Sequence, residues 1–278
     1  MYSTIIDVEQ LSNQFGQDWV VVDCRYNLAD ADSGYESYLK AHIAGALYAD
    51  IHKDLSGEPI TDHGRHPLPG ADNLRKFFSS LGINKEKQVI AYDASSGAFA
   101  ARLWWLLRYM GHDAVAVLDG GWQAWQTAGF KTEVGVQTKQ SEDFSGEPRT
   151  EWLVTMDKVL DAPLLIDSRE AQRYRGEEEP IDPVAGHIPG ALNHCWKENI
   201  DENGHFHASE YLQQQFSQIY TDTDSEQVVF YCGSGVTACA NLLAVAQAGL
   251  PPARLYAGSW SDWCSRADNP IATGSEPS

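Results

Sequence analysis

Short, unbroken apolar runs recur along the chain, separated by longer segments with helical spacing. Val20-Val21-Val22, Val89-Ile90-Ala91, Leu164-Leu165-Ile166 and Val228-Val229-Phe230-Tyr231 are rich in β-branched or aromatic residues and carry no internal polar position. That is the pattern of strands covered on both faces. Ala98 to Met110 and Val236 to Ala248 are mostly apolar and long enough for helices. After the second, Gly249 suits the position just past a helix end, and Pro251 and Pro252 prevent its resumption. Strands alternating with helices predict an α/β architecture, a parallel sheet with helices on both faces. Ligands in such sheets bind beyond the carboxyl ends of the strands. Asp23, Asp93, Asp119, Asp167 and Cys232 all fall at predicted strand ends.

The pattern is written twice. Val20-Val21-Val22-Asp23-Cys24-Arg25 returns as Leu164-Leu165-Ile166-Asp167-Ser168-Arg169, displaced by 144 positions. Ala41-His42-Ile43-Ala44-Gly45-Ala46-Leu47 returns as Gly186-His187-Ile188-Pro189-Gly190-Ala191-Leu192, displaced by 145. Val89 to Asp93 matches Val228 to Cys232 at 139, and Gly120-Gly121-Trp122 with Trp125 matches Gly258-Ser259-Trp260 with Trp263 at 138. Four elements in one order at nearly constant spacing indicate an internal duplication. Two copies of this length predict tandem domains, 1–135 and 150–278. The polar stretch Lys131 to Thr150 has no sustained period, and its part 136–149 is expected as a linker. Recurrence of His42 with His187, and of the tryptophan pairs, suggests structural roles for them.

Composition narrows the partners. The formal net charge is -19, from 39 acidic against 20 basic residues. This excludes nucleic acid and anionic membrane surfaces as natural partners, since both call for basic patches. Five cysteines at irregular spacing show no zinc-like or disulfide framework, so no metal is expected, and a reducing compartment fits them. Met1 to Asn13 lacks a basic segment followed by an apolar run, and no apolar stretch approaches the roughly 18 residues of a membrane span. A cytoplasmic location is expected.

The chemistry gathers at Cys232. It sits where a strand ends and a helix begins, followed by Gly233-Ser234-Gly235-Val236-Thr237-Ala238. The first turn of a helix has unpaired N–H groups and partial positive charge. A loop of small residues can wrap its amides around an anion. The same field favours thiolate, the nucleophilic form of the cysteine. The plain alternative is a cysteine packed as a small hydrophobe; the loop and helix start weigh against it. At the matching place in the first half, Asp93 can offer no sulfur nucleophile and would repel an anion. The first half is therefore expected to be catalytically inactive.

Cys232-Gly233-Ser234-Gly235-Val236-Thr237-Ala238 resembles the active-site loop of the rhodanese superfamily, in its mercaptopyruvate sulfurtransferase branch. The resemblance covers nearly the whole chain and implies two tandem rhodanese-like domains with catalysis in the second. It implies a persulfide on Cys232, formed from a small anionic sulfur donor and passed to a thiol, cyanide or thioredoxin-like acceptor, with no cofactor. Ser234 is expected to donate to the sulfur or the departing group. Gly233, Gly235, Val236 and Thr237 are expected to line the substrate, with Thr237 capping the helix. Arg173 matches the family's substrate arginine; its alternative is a solvated ion pair with Glu177 or Glu178. Arg169 reads as a structural salt bridge. His66, in His66-Pro67-Leu68-Pro69, matches a histidine that reaches the site from the first domain. A second substrate arginine, usual after Glu-Pro, is missing: Glu179-Pro180 is followed by Ile181.

The uncharged loop favours 3-mercaptopyruvate, whose single carboxylate one arginine can hold, over the doubly charged thiosulfate. Thiosulfate sulfurtransferase is the alternative, and a non-catalytic rhodanese-like binding module a weaker one. A phosphatase of this fold would need an arginine closing the loop, where Ala238 stands.

Overall fold

The computed structural model describes residues 1–14, 17–58 and 64–277. By their internal contacts they divide into two compact units. Unit 1 holds Met1–Gly57, Pro69–Arg149 and Glu202–Phe206; unit 2 holds Glu58–Leu68, Thr150–Asp201 and His207–Ser278. Two short segments are thus exchanged relative to chain order. Phe206 is drawn to unit 1 because its N–H donates to Asp119 Oδ1 at 2.9 Å. Its ring lies over Gly97, where a Cβ would come within 3.1 Å of it. Residues expected as a linker pack on unit 1. Phe144 meets Phe78 edge-on at 5.0 Å, and Arg149 forks onto Asp113 at 2.7 Å.

Unit 1 runs β1 (Ile5–Ile6), α1 (Val8–Ser12), β2 (Val20–Asp23), α2 (Ser33–Lys40), β3 (His42–Ile43), β4 (Leu47–Tyr48), α3 (Ala71–Ser80), β5 (Val89–Tyr92), α4 (Ala100–Tyr109), β6 (Val115–Leu118), α5 (Gly121–Thr127) and β7 (Thr132–Glu133). Its main sheet has the order β1-β6-β5-β2-β4, with every pairing parallel. Unit 2 runs β8 (Leu164–Asp167), α6 (Ala171–Tyr174), β9 (Ala191–Asn193), α7 (Ser209–Tyr220), β10 (Val228–Tyr231), α8 (Ala238–Gln247), β11 (Arg254–Leu255) and α9 (Ser259–Trp263), with short 3₁₀ turns between. Its sheet, β11-β10-β8-β9, is parallel throughout. It repeats the order β6-β5-β2-β4, as the duplication requires.

Strand alternation sends side chains to opposite faces. Leu165, Val229 and Tyr231 pack with Tyr174 of α6 and Trp260 and Trp263 of α9. On the other face Phe230 meets Phe216 of α7 edge-on at 6.4 Å. The tryptophan pairs are core in both units. Among the described residues no helix is long and apolar enough to cross a membrane.

The repeated polar residues hold the two folds in the same way. Arg25 forks onto Asp23, donates to Ala41 O at 2.6 Å and lies 4.4 Å over Trp122. Arg169 forks onto Asp167, donates to Gly186 O at 2.6 Å and lies 4.7 Å over Trp260. His42 and His187 stack on Tyr38 and Tyr174, and the Nδ1 of each bonds that tyrosine's carbonyl at 2.8 Å. These are structural roles, as the duplication suggested for the histidines.

Burial holds His187 below the ordinary imidazole value. Below about pH 6.5 the unfolded chain takes up a proton that folded His187 resists, so this contribution to stability is intact above that pH and lost as pH falls. We expect His187→Gln to flatten the fall in urea-unfolding stability between pH 7.5 and 5.5, by at most about 1.4 kcal/mol per pH unit. An unchanged slope would mean that His187 titrates alike in both states.

Candidate active site

β10 is an interior strand flanked by β11 and β8. The chain leaves β8 toward β9 on one side and β10 toward β11 on the other. The carboxyl ends of β8 and β10 therefore form a switch point, where open parallel sheets bind ligands. Cys232 directly follows β10; Ser168, Arg169 and α6, which carries Arg173, directly follow β8.

Cys232 is 1% exposed. Its backbone N–H donates to Ser259 Oγ at 3.1 Å, and its carbonyl accepts from Trp260 N–H at 3.0 Å. Gly235 N–H donates to Cys232 Sγ at 3.2 Å. The loop thus turns back on the sulfur, which requires the left-handed backbone of Gly235, φ +77°. Only glycine fits there, since a Cβ would lie 2.2 Å from Ala257 O. Cys239 donates its thiol to Gly235 O at 3.4 Å, a packing role within the helix.

The matching loop of unit 1 already holds an anion of its own. At the place matching Cys232, Asp93 Oδ1 accepts from Ser95 and Gly97 N–H at 2.7 and 2.9 Å. Asp93 Oδ2 accepts from Phe99 and Ala100 N–H, both at 2.8 Å. Four amides converge on one carboxylate: the first-half cradle is filled by its own side chain.

One expectation for the loop changes. Thr237 has helical backbone, φ -72°, and makes no side-chain cap bond to α8. With the Thr237 hydroxyl making no such bond, Val236 and Thr237 accept from Cys239 and Ala240 N–H, both at 3.1 Å. Ser234, expected to donate to the sulfur or the departing group, has its Oγ bonded to His66 Nδ1 at 2.7 Å. His66 is buried, and its segment belongs to unit 2 rather than to the first domain. The reason is local. Gly64 lies so close to Gly258 O that a Cβ would come within 2.6 Å, and Arg65 N–H donates to Ser261 Oγ at 3.1 Å.

Arg173 is no solvated surface partner. It donates to Glu179 from Nε at 3.1 Å and Nη2 at 2.7 Å, and from Nη2 to Asp182 at 3.3 Å. Arg175 takes the exposed pairing with Glu177 at 2.7 Å. Asp182 also accepts from Arg65 Nη1. A series of alternating charge results, buried at Asp167, Arg169, Glu179 and Asp182 and more open at Arg173 and Arg65: Asp167, Arg169, Glu179, Arg173, Asp182, Arg65. Its three cations and three anions cancel, which lets them lie close together within a strongly acidic protein. Burial first, and then the Arg173 cation, push the Arg65 guanidinium below its ordinary value.

Arg65, Ser259, Glu179 and Asp182 are not among the residues that the sequence singles out. Ser259 offered one signal: it stands where the first half has Gly121, and it keeps that residue's positive φ, 59° against 52°. A serine held there is strained; its hydroxyl bonds the Cys232 N–H.

The Rhodanese-like domain family matches residues 7–128 and 151–266. A Pseudomonas aeruginosa protein named "Probable 3-mercaptopyruvate sulfurtransferase" is 43% identical, over 97% of this chain and 98% of its own. A Mycobacterium tuberculosis protein that carries a thiosulfate sulfurtransferase name is 35% identical, over 94% and 93%. The solved 3-mercaptopyruvate sulfurtransferase of Leishmania major superposes with a TM-score of 0.87 at 30% identity, over 97% of this chain and 76% of that one. With both halves matched and each carrying the same sheet, the chain belongs to the rhodanese family, as a tandem-domain member.

Proposed function

We propose that this protein is a sulfurtransferase that takes the sulfur of 3-mercaptopyruvate and passes it to a thiol or cyanide through a persulfide on Cys232. The observation that carries the reading is the Cys232 sulfur at the switch point, with a loop amide on it and the Arg173 guanidinium beside the next residue. The Cys232 thiolate attacks the donor sulfur, and the carbon–sulfur bond breaks. Its electron pair leaves with the three-carbon fragment as an enolate, which takes up the thiol proton and departs as pyruvate. An acceptor thiolate or cyanide then attacks the outer sulfur, and Cys232 leaves as thiolate.

Stabilising the outer sulfur's charge falls to the loop amides. The four amides that hold the Asp93 carboxylate support this, because a persulfide extends Cys232 to a comparable reach. The Ser234–His66 pair is suited to stabilise the enolate oxygen. A reduced thioredoxin-like protein fits as acceptor, and a cytoplasmic location fits five free, buried cysteines.

Thiosulfate as donor is favoured by a separate observation. The loop itself is uncharged, yet Arg65 and Arg173 both come close to Gly233, and two cations suit a dianion. The Mycobacterium relative carries that name. With cyanide as acceptor, on one preparation at one pH, we expect the higher kcat/KM with 3-mercaptopyruvate. An equal or higher value with thiosulfate would overturn the donor and keep the sulfurtransferase.

A further inference from the structure

The geometry points to Arg65 as a second substrate-binding cation, which together with Arg173 forms a two-arginine clamp for the donor's anionic group over Gly233. Glu179-Pro180 is followed by Ile181 rather than arginine, and Ile181 is exposed. Arg65 enters the same region from the strap Gly64-Arg65-His66.

Arg65 spends Nη1 on Asp182. Arg173 spends Nε and Nη2 on Glu179 and Asp182. Among the described residues neither Arg65 Nη2 nor Arg173 Nη1 bonds a protein acceptor. Both reach the same small region. A Cβ built on Gly233 would lie 3.1 Å from Arg65 Nη2, and 3.4 and 3.5 Å from Arg173 Nη2 and Nη1. Two like charges brought together beside an uncharged, side-chain-free residue repel, and that cost falls when an anion sits between them. Asp182 bonds both arginines and so sets their separation. The Arg65 side chain is 31% exposed and that of Arg173 13%, against 3% for Asp182; the cations are reachable and their anchor is not. Two planar forks from different directions offer bidentate recognition of a carboxylate or sulfonate.

This inference rests on the proposed function only for the nature of the anion, so binding can be measured apart from turnover. Calorimetry on Cys232→Ser protein, which cannot turn the donor over, would use 3-mercaptopyruvate and thiosulfate as probes. Adding Arg65→Gln should raise Kd for the bound anion by about tenfold to a hundredfold, the scale of a charge-assisted hydrogen bond. The neutral amide of 3-mercaptopyruvate should bind both proteins alike. Weakening below twofold, equal weakening of anion and amide, or no binding of either anion to the Cys232→Ser protein would each overturn the clamp. A wrong donor would show instead in the wild-type rates, leaving the Arg65 result intact.

Discussion

Cys232→Ser is expected to lower sulfur transfer by at least about 10⁴-fold, the scale seen when a covalent nucleophile is removed. None of the other cysteines can replace it. Cys24 is fully enclosed, and burial first, then Asp23 and Asp93, push its thiol well above the ordinary range. Burial pushes Cys195 up to about 11 and raises Cys264, so each is a poor source of thiolate. Cys239 spends its thiol on Gly235 O inside the helix. Mass spectrometry after donor exposure, with no acceptor or reductant, should find one added sulfur on wild-type protein, mapped to Cys232. The Cys232→Ser protein should gain none. Equal uptake by both would place the nucleophile elsewhere and sink the mechanism.

Gly235→Ala should cost about 2–4 kcal/mol of stability and most of the activity, because two penalties coincide. A residue with a Cβ is strained at φ +77°, by about 1–3 kcal/mol. The added carbon would also meet the Ala257 carbonyl at 2.2 Å, so backbone must move and the overlap adds its own cost. That movement withdraws the Gly235 amide from the Cys232 sulfur. Gly249 is the control: its φ is also positive, +74°, but a Cβ there meets nothing within 4 Å. Gly249→Ala should therefore show the strain alone, about 1–2 kcal/mol, with activity retained. Urea unfolding and steady-state rates on both variants decide the matter. Equal losses would show that contact with Ala257 contributes nothing.

Chain order by itself determined the elements and their duplication. Apolar runs of strand length, helical spacing and four motifs at near-constant offset are local signals, and each copy supports the other. They put Cys232 at the end of a buried strand and its loop at the start of a helix. They also separated chemistry from support: residues found in both halves, such as Arg25 with Arg169 and His42 with His187, proved to hold the fold. Asp93 against Cys232 marked where the halves diverge.

Only the tertiary structure decided which charges meet beside Gly233. Arg65 and His66 lie more than 160 positions before Ser234, and no period or spacing links them to it. Their place depends on Gly64 packing against Gly258 and on hydrogen bonds to Ser261, Ser234 and Asp182. Arg173 was legible as a candidate substrate cation through the family resemblance, but its ties to Glu179 and Asp182 were not, because neighbours in sequence such as Glu177 compete for it and only folding selects among them. The loop looked uncharged for the same reason. Its own residues carry no charge, and the guanidinium groups beside Gly233 come from two other segments that the parallel sheet and the strap bring to one strand end.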